Sequence, residues 1–443
     1  MKLKYLILLF ALVSTQSQAV LDIEITGGVV GSHPIAIVPF SWELKTPAGL
    51  KVTEVLSNDL KRSGKFALIP KKNFLEHPHH GGEVNFENWR NLGVESLVVG
   101  RVRPGANGTY LVQFQLFDIY RRNEGAKTGP NAPEYQLKQI IGYSLPSTAK
   151  DLRRTAHYMS DLIYEAITGK KGVFTTRIAY VTASGAAKSR KYELQVADMD
   201  GHNPFTVLRS TQPIMSPAWS PDARQLAYVS FENKRAEIYI QDVDTGKRYA
   251  IASYKGVNSA PAWSPDGKKL ALTLSRSGDL EIYILDIQSR RLKRLTRNTA
   301  IDTEPAWSPD GKTIAFVSDR SGRPQVYRVA ASGGRSERLS FDGSYNARPA
   351  YMPGGDKIAM VHGDSQGYHI ATLDLKTGVM DVLTTGRLDE SPSFAPNGSM
   401  ILYAASSRNR GILSAVSVDG KVKQRLILKQ GDVREPAWAP YRK

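Results

Sequence analysis

A chain of 443 residues, 41% of them apolar and with no long low-complexity tract, is large enough for two folded domains and excludes a disordered chain. Its formal charge of +17 would point to nucleic acid if it were concentrated. The 59 lysines and arginines are instead dispersed, so they read as a solvated basic surface, and the absence of cysteine excludes a lipoprotein anchor, disulfides, thiolate metal sites and a thiol nucleophile.

The first element is an export signal at residues 1–19. Lys2 and Lys4 precede an apolar run from Tyr5 to Val13, and Ser17 and Ala19 are the small residues a signal peptidase needs. That run is shorter than the ~20 residues needed to span a bilayer. The mature chain then starts at Val20 with 57 basic against 42 acidic side chains, or +15. Export without disulfides fits a bacterial envelope better than an animal extracellular space, and no second apolar segment of spanning length follows.

Residues 20–171 alternate between strand-like and helix-like patterns, which predicts a mixed α/β domain. "IAIVPF" (35–40) is a short strand, Pro47 to Arg62 has helical spacings, and "FALIP" returns to a strand. A short helix around Phe86 to Leu92 leads to strands at 96–102 and 109–120, and "YQLKQIIGYSL" reads as another strand. A last helix runs from about Thr148 to Thr168, with "TGKKG" (168–172) as the linker.

Residues 172–443 lose the helical pattern and gain a repeat. "PAWSPD" stands at Pro217, Pro261 and Pro305, and weaker copies begin at Pro349, Pro392 and Pro436, spaced by 44, 44, 44, 43 and 44 residues. Each unit holds three further short apolar runs, which predicts four-stranded blades of a β-propeller. Proline fits the innermost strand, whose free edge faces the channel, and the aromatic two residues on wedges against the next blade. Six motif strands accompany six sets of outer strands, but the first set (from Arg177) has no motif before it and the last motif has no strands after it. A six-bladed ring closed by the C-terminal strand, Arg434 to Ala439, accounts for both.

The sequence offers little chemistry. "GDSQG" (363–367) matches a G-x-S-x-G nucleophile elbow, but lies where neighbouring units have a hairpin loop, with no helix after it. "HPHH" (77–80) supplies imidazoles, with Glu76 and Glu83 nearby, but lacks four-ligand metal spacing. No carboxylate pair stands in a context that raises one pKa. The residues before each motif proline remain, at one mouth of the channel: Met215 and Ser216, Ser259 and Ala260, Thr303 and Glu304. Asn346, Ala347 and Arg348 follow, then Asp389, Glu390 and Ser391, then Val433, Arg434 and Glu435. This mixture suits docking a protein loop better than enclosing a small ligand.

"SGKFALIP", "TGKKGVFTTRIAYVT", "PIMSPAWSPD", "SGRPQVY", "LDESPSFAPNGSM" and "PAWAPY" together resemble the TolB family of periplasmic propeller proteins, from the export signal to the last residues. The resemblance implies a non-enzymatic, monomeric adaptor of the Tol–Pal system. Its channel mouth would bind the lipoprotein Pal, with Ala260 and Thr303 at family-matched positions, although "GVNSAPAW" departs from the family just before Ala260. The N-terminal segment Val20 to Gly31, through Leu21, Asp22, Ile23, Glu24 and Ile25, would bind the C-terminal domain of TolA. Colicin-type bacteriocins would exploit the same mouth. No cofactor is implied, apart from the channel calcium of some members, for which Glu304, Glu390 and Glu435 are the candidates. Two other classes stay open: a propeller-gated hydrolase, whose α/β-hydrolase domain is missing, and a binding module for a periplasmic polysaccharide or metal ion.

Overall fold

Alternating apolar residues flanked by Asp-Gly and Pro-Asp turns build the C-terminal part, and apolar faces at helical spacing build the N-terminal part. A computed structural model describes residues 22–26, 31–44, 50–121, 132–186, 189–407, 410–427 and 431–442, with only the backbone of 22–26. The expected export signal and Leu21 lie outside the described residues.

The N-terminal part is a mixed sheet. Strand His33–Ile37 lies parallel to Phe66–Leu68 on one side and Ser96–Pro104 on the other, and Tyr110–Asp118 and Gln139–Ser147 continue the sheet antiparallel. Helices α1 (Val52–Arg62) and α4 (Leu152–Thr168) cover one face, and α2 (Phe86–Asn91) the other, while the short α3 (Glu134–Lys138) sits before the last strand. α1 carries Glu54 in its first turn and Lys61 and Arg62 in its last, which suits the helix dipole. The segment read as one strand from Tyr135 begins instead as α3, because Lys138 turns inward to donate to the carbonyls of Ile119 and Arg121.

The C-terminal part is a six-bladed propeller. Five blades run in sequence from inner strands Ile214–Trp219, Asn258–Trp263, Asp302–Trp307, Tyr345–Tyr351 and Asp389–Phe394. The sixth takes its inner strand, Asp432–Trp438, from the C-terminus and its outer three from Arg177–Ser184, Lys191–Asp198 and Phe205–Ser210. Arg434 lies opposite Val181 and Trp438 opposite Ile178. The motif tryptophans lace successive blades: the Trp219, Trp263 and Trp307 indoles donate to the Ala437, Ala218 and Ala262 carbonyls of the blade before, at 3.1–3.2 Å. Trp438 breaks the pattern and donates to Thr176 Oγ1 at 2.8 Å, beside the linker.

The linker is held down. Asp161 on α4 accepts the Phe174 and Thr175 amides and the Thr175 hydroxyl at 2.5–3.1 Å. One apolar core runs across the junction, from Leu56, Met159 and Ile163 through Phe174 to Met400, Leu402, Leu426 and Trp438.

Candidate functional site

Every inner strand carries the same irregularity. The ladder skips a residue between Met215 and Ala218, and again between Ser259/Ala262, Thr303/Ala306, Ala347/Ala350, Glu390/Ser393 and Arg434/Ala437. The residue before the motif proline takes a left-handed backbone each time: Ser216, Ala260, Glu304, Arg348, Ser391 and Glu435, with φ between 48° and 58°. These are bulges of the kind that re-aim a side chain and remove an amide from the ladder. A pre-proline residue ordinarily favours extended backbone, so the channel geometry overrides a local preference six times.

Two of the freed amides are used between blades. Glu304 accepts the Arg348 amide at 2.8 Å, and Glu435 accepts the Ser216 amide. The Arg348 guanidinium lies between the same two carboxylates, 3.2 Å from Glu304 and 3.5 Å from Glu435. Burial alone would weaken its charge, but Glu435, Glu304 and Glu390 outweigh that and raise its pKa. Glu304 and Glu435 thus share a resident cation, and Glu390 adds to the field around it. A calcium ion would have to displace Arg348 to use them, so the donor set does not fit an additional dication.

The other expected residues divide by burial. Met215 and Arg434 are exposed, and Ser216, Ser259, Ala260, Thr303 and Glu390 are half-buried at the mouth. Asn346, Ala347, Asp389 and Ser391 are buried within their blades, which corrects the reading that they face a partner. Asn346 holds Gln325 and the Asp342 carbonyl at 2.9 and 2.7 Å. Asp389 accepts the Gly386 amide, and burial pushes its carboxyl up. Asn346 and Asp389 face the blade because strand alternation turns the third residue before the proline inward, as it does for Asn258 and Asp302.

Reading the residues nearest the proline missed an apolar collar. Val257, Ile301, Phe341, Tyr368 and Leu388 join Met215 as exposed large apolar side chains on this face, Phe341 at 69%. Between the first two blades, Met215, Val229, Phe231, Ala236 and Val257 line a cleft of about 430 Å³ with Arg235 at its edge. The signal was present four residues before the proline, where Val257, Ile301, Tyr345 and Leu388 recur.

Strand Asp22–Thr26 pairs antiparallel with the outer strand Lys423–Ile427 and adds a fifth strand to the fifth blade. Asp22 lies opposite Ile427 and Ile25 opposite Gln424. The segment therefore docks on the propeller, not back on the α/β domain that follows it.

The "GDSQG" stretch is the turn between strands Lys357–Gly363 and Tyr368–Asp374, closed by Asp364 N–H to Gly367 O at 3.0 Å, with no helix behind it. The "HPHH" loop is organised by Glu83, which accepts the His79 amide, and by Glu76, which accepts the Trp89 indole at 2.6 Å. Among the described residues the one group spaced to hold a metal is elsewhere, at Asp59, His157 and Asp200. Contrary to the sequence reading, a carboxylate pair is perturbed there: burial pushes Asp198 up, and Asp200 beside it adds to the effect. No helix of the described residues is long and apolar enough to cross a membrane.

Comparison with known proteins places this architecture. The TolB amino-terminal domain matches residues 21–125 and the TolB beta propeller domain matches residues 164–442. A Tol-Pal system protein TolB from Nitrosococcus oceani is 59% identical over 98% of this chain and 97% of its own length. One from Thioalkalivibrio sulfidiphilus is 56% identical over 99% and 98%. The crystal structure of TolB from Acinetobacter baumannii, 42% identical, covers 95% of this chain and 100% of its own with a TM-score of 0.85.

Proposed function

Because this chain belongs to the TolB family of Tol-Pal system proteins, we propose that it is a non-enzymatic periplasmic adaptor of a Gram-negative envelope. In this reading Pal docks at the channel mouth and the C-terminal domain of TolA takes the N-terminal segment. The protein thereby keeps the outer membrane attached and supports its constriction in division. The observation that carries the reading is the mouth itself, an apolar collar around a ring of charge anchored on Arg348. Exposed apolar residues gathered on one face mark a protein-docking surface, and the cleft between the first two blades has room for an anchoring side chain. A colicin-type bacteriocin would reach the same face.

The strand at Asp22–Thr26 supports the second contact. Its pairing with Lys423–Ile427 uses main-chain hydrogen bonds that a partner strand can replace, and one edge satisfies one partner at a time.

The test is titration of the mature monomer with the periplasmic domain of the OmpA-like lipoprotein from the same organism. Saturable binding tighter than roughly tens of micromolar is expected, weakened at least tenfold by Met215→Asp with Phe341→Asp. No binding, or peptide hydrolysis by the pure protein, overturns the reading. Removal of Val20 to Gly31 should abolish TolA binding and leave Pal binding equal or tighter. Loss of both would make the segment structural.

A further inference from the structure

Inside the apolar contact between the two domains lies one ionic cluster. Asp59 and Arg62 come from α1, Arg153, His157 and Ser160 from α4, and Asp200 from the hairpin turn between Lys191–Asp198 and Phe205–Ser210 of the sixth blade. Asp59, Asp200, His157 and Arg62 are 0%, 1%, 2% and 4% exposed. His157 Nδ1 is 2.7 Å from Asp59 Oδ2, which also accepts the Ser160 hydroxyl at 2.7 Å. The other ring nitrogen, Nε2, has no hydrogen bond and faces Asp200 Oδ2 across the domain boundary at 3.8 Å.

A neutral imidazole has one N–H, so one of its nitrogens would turn a lone pair toward a buried carboxylate. The imidazolium suits both. It also balances the surroundings, since Arg62, Arg153 and a charged His157 then face Asp59, Asp198 and Asp200. His202 lies at the margin, 3.5 Å from Asp200. Asp59, His157 and Asp200 are spaced to hold a metal. Arg62 argues against one, because its remaining contact is the Met199 sulfur at 3.4 Å, and a dication on the two carboxylates would leave a buried guanidinium unpaired.

We propose that His157 is a protonation-dependent clasp between the two domains, joining Asp59 of the first to Asp200 of the second when charged and releasing them when neutral. The clasp adjoins an interdomain cleft of about 1150 Å³, whose walls come from both domains through Arg153, His157, Asp161, Arg177, Asp198 and Tyr441. Losing the clasp removes one tie and loosens these walls, with the Arg153–Asp200 ion pair, the Gln424 amide on the Arg62 carbonyl and the apolar core remaining.

The direction in pH follows. Burial works against the charge on His157, but Asp59 and then Asp200 outweigh it and the pKa is raised. The clasp is fully formed below the ordinary imidazole value of ~6.5 and is lost as pH rises through the raised value. Burial likewise works against ionised Asp200, but His202, Arg62, His157 and Arg153 outweigh it and hold its carboxyl well below the usual range. The propeller half of the clasp therefore survives mild acid.

The chain has no cysteine, so Lys72→Cys and Lys376→Cys, both at exposed positions, allow a dye pair with one label per domain on the full mature chain. Between roughly pH 5.5 and 9.5, spanning the imidazole range, the interdomain distance should pass from one narrow distribution to a broad one. His157→Gln should be broad throughout, without a transition. Asp200→Asn, which keeps the histidine in place and removes one of the charges that raise its pKa, should lower the midpoint. A distribution unchanged across the range overturns the proposal, as does a variant that keeps the original midpoint. So does zinc restoring the narrow distribution at high pH, which would make the cluster a metal site. If neither variant folds, the unsubstituted chain still decides through its own titration.

Discussion

Arg348 sets the chemistry of the channel more than any residue of the repeated motif does. The motif residues are interchangeable parts, since Trp219, Trp263 and Trp307 make one and the same hydrogen bond. Arg348 occurs once and answers two carboxylates on two other blades. Arg348→Ala would leave Glu435, 8% exposed, without its counter-charge. The cost should be about 1–3 kcal/mol, below that of breaking a fully buried pair because the arginine is partly exposed, and urea unfolding would measure it. The same variant should gain a property. With the guanidinium gone, Glu304 and Glu435 are left without the cation they share, so millimolar calcium should raise the melting temperature of Arg348→Ala and leave the unsubstituted chain unmoved. Equal stabilisation of both would mean that the ion binds elsewhere.

At the scale of elements, the strand that does most beyond its length is Asp22–Thr26. It covers the hydrogen-bonding edge of Lys423–Ile427, and an uncovered edge invites pairing with other chains. Deleting it should speed amide exchange in 423–427 and raise self-association at high concentration, while Met400–Ser407, deeper in the same blade, stays protected. Fast exchange through the whole blade would instead show that the strand holds the blade together. The blades were legible in the sequence because each is local: turn residues, a period of two and an even spacing name the strands within 44 residues. Ring closure was legible too, by counting a motif without strands against strands without a motif. What escaped notice depends on distance along the chain. Asp59 meets His157 across 98 residues, and nothing near "SNDLKR" or "TAHYMS" announces the other. The docking of Asp22–Thr26 on strand 423–427 is equally remote. The left-handed residue before each proline escaped for another reason: local preference argues against it, and the closed ring imposes it. The buried Asn346 and Asp389 show the limit of reading a mouth by position alone, because one step of strand alternation separates a rim residue from a core one.

For the whole molecule, the C-terminal strand joins more than a ring. Asp432–Trp438 completes the sixth blade against Arg177–Ser184, but Val433 and Trp438 also belong to the apolar core shared with α1 and α4. The Trp438 indole reaches Thr176, and the Tyr441 hydroxyl donates to the Lys171 carbonyl, so the last residues pin the linker as well. Truncation after Gly431 therefore removes an inner strand, a large aromatic from the shared core and two linker contacts together. Loss of a buried tryptophan costs about 3–5 kcal/mol by itself, a large part of the 5–15 kcal/mol typical of a folded protein. The expectation is loss of cooperative unfolding in both domains, not in the propeller alone. Calorimetry should show the single sharp transition of the full chain replaced by a broad one, and amide exchange in α4 (Leu152–Thr168) should accelerate with that in Arg177–Ser184. If α4 keeps its full protection while the propeller melts, the domains fold independently and the shared core is only a contact between them.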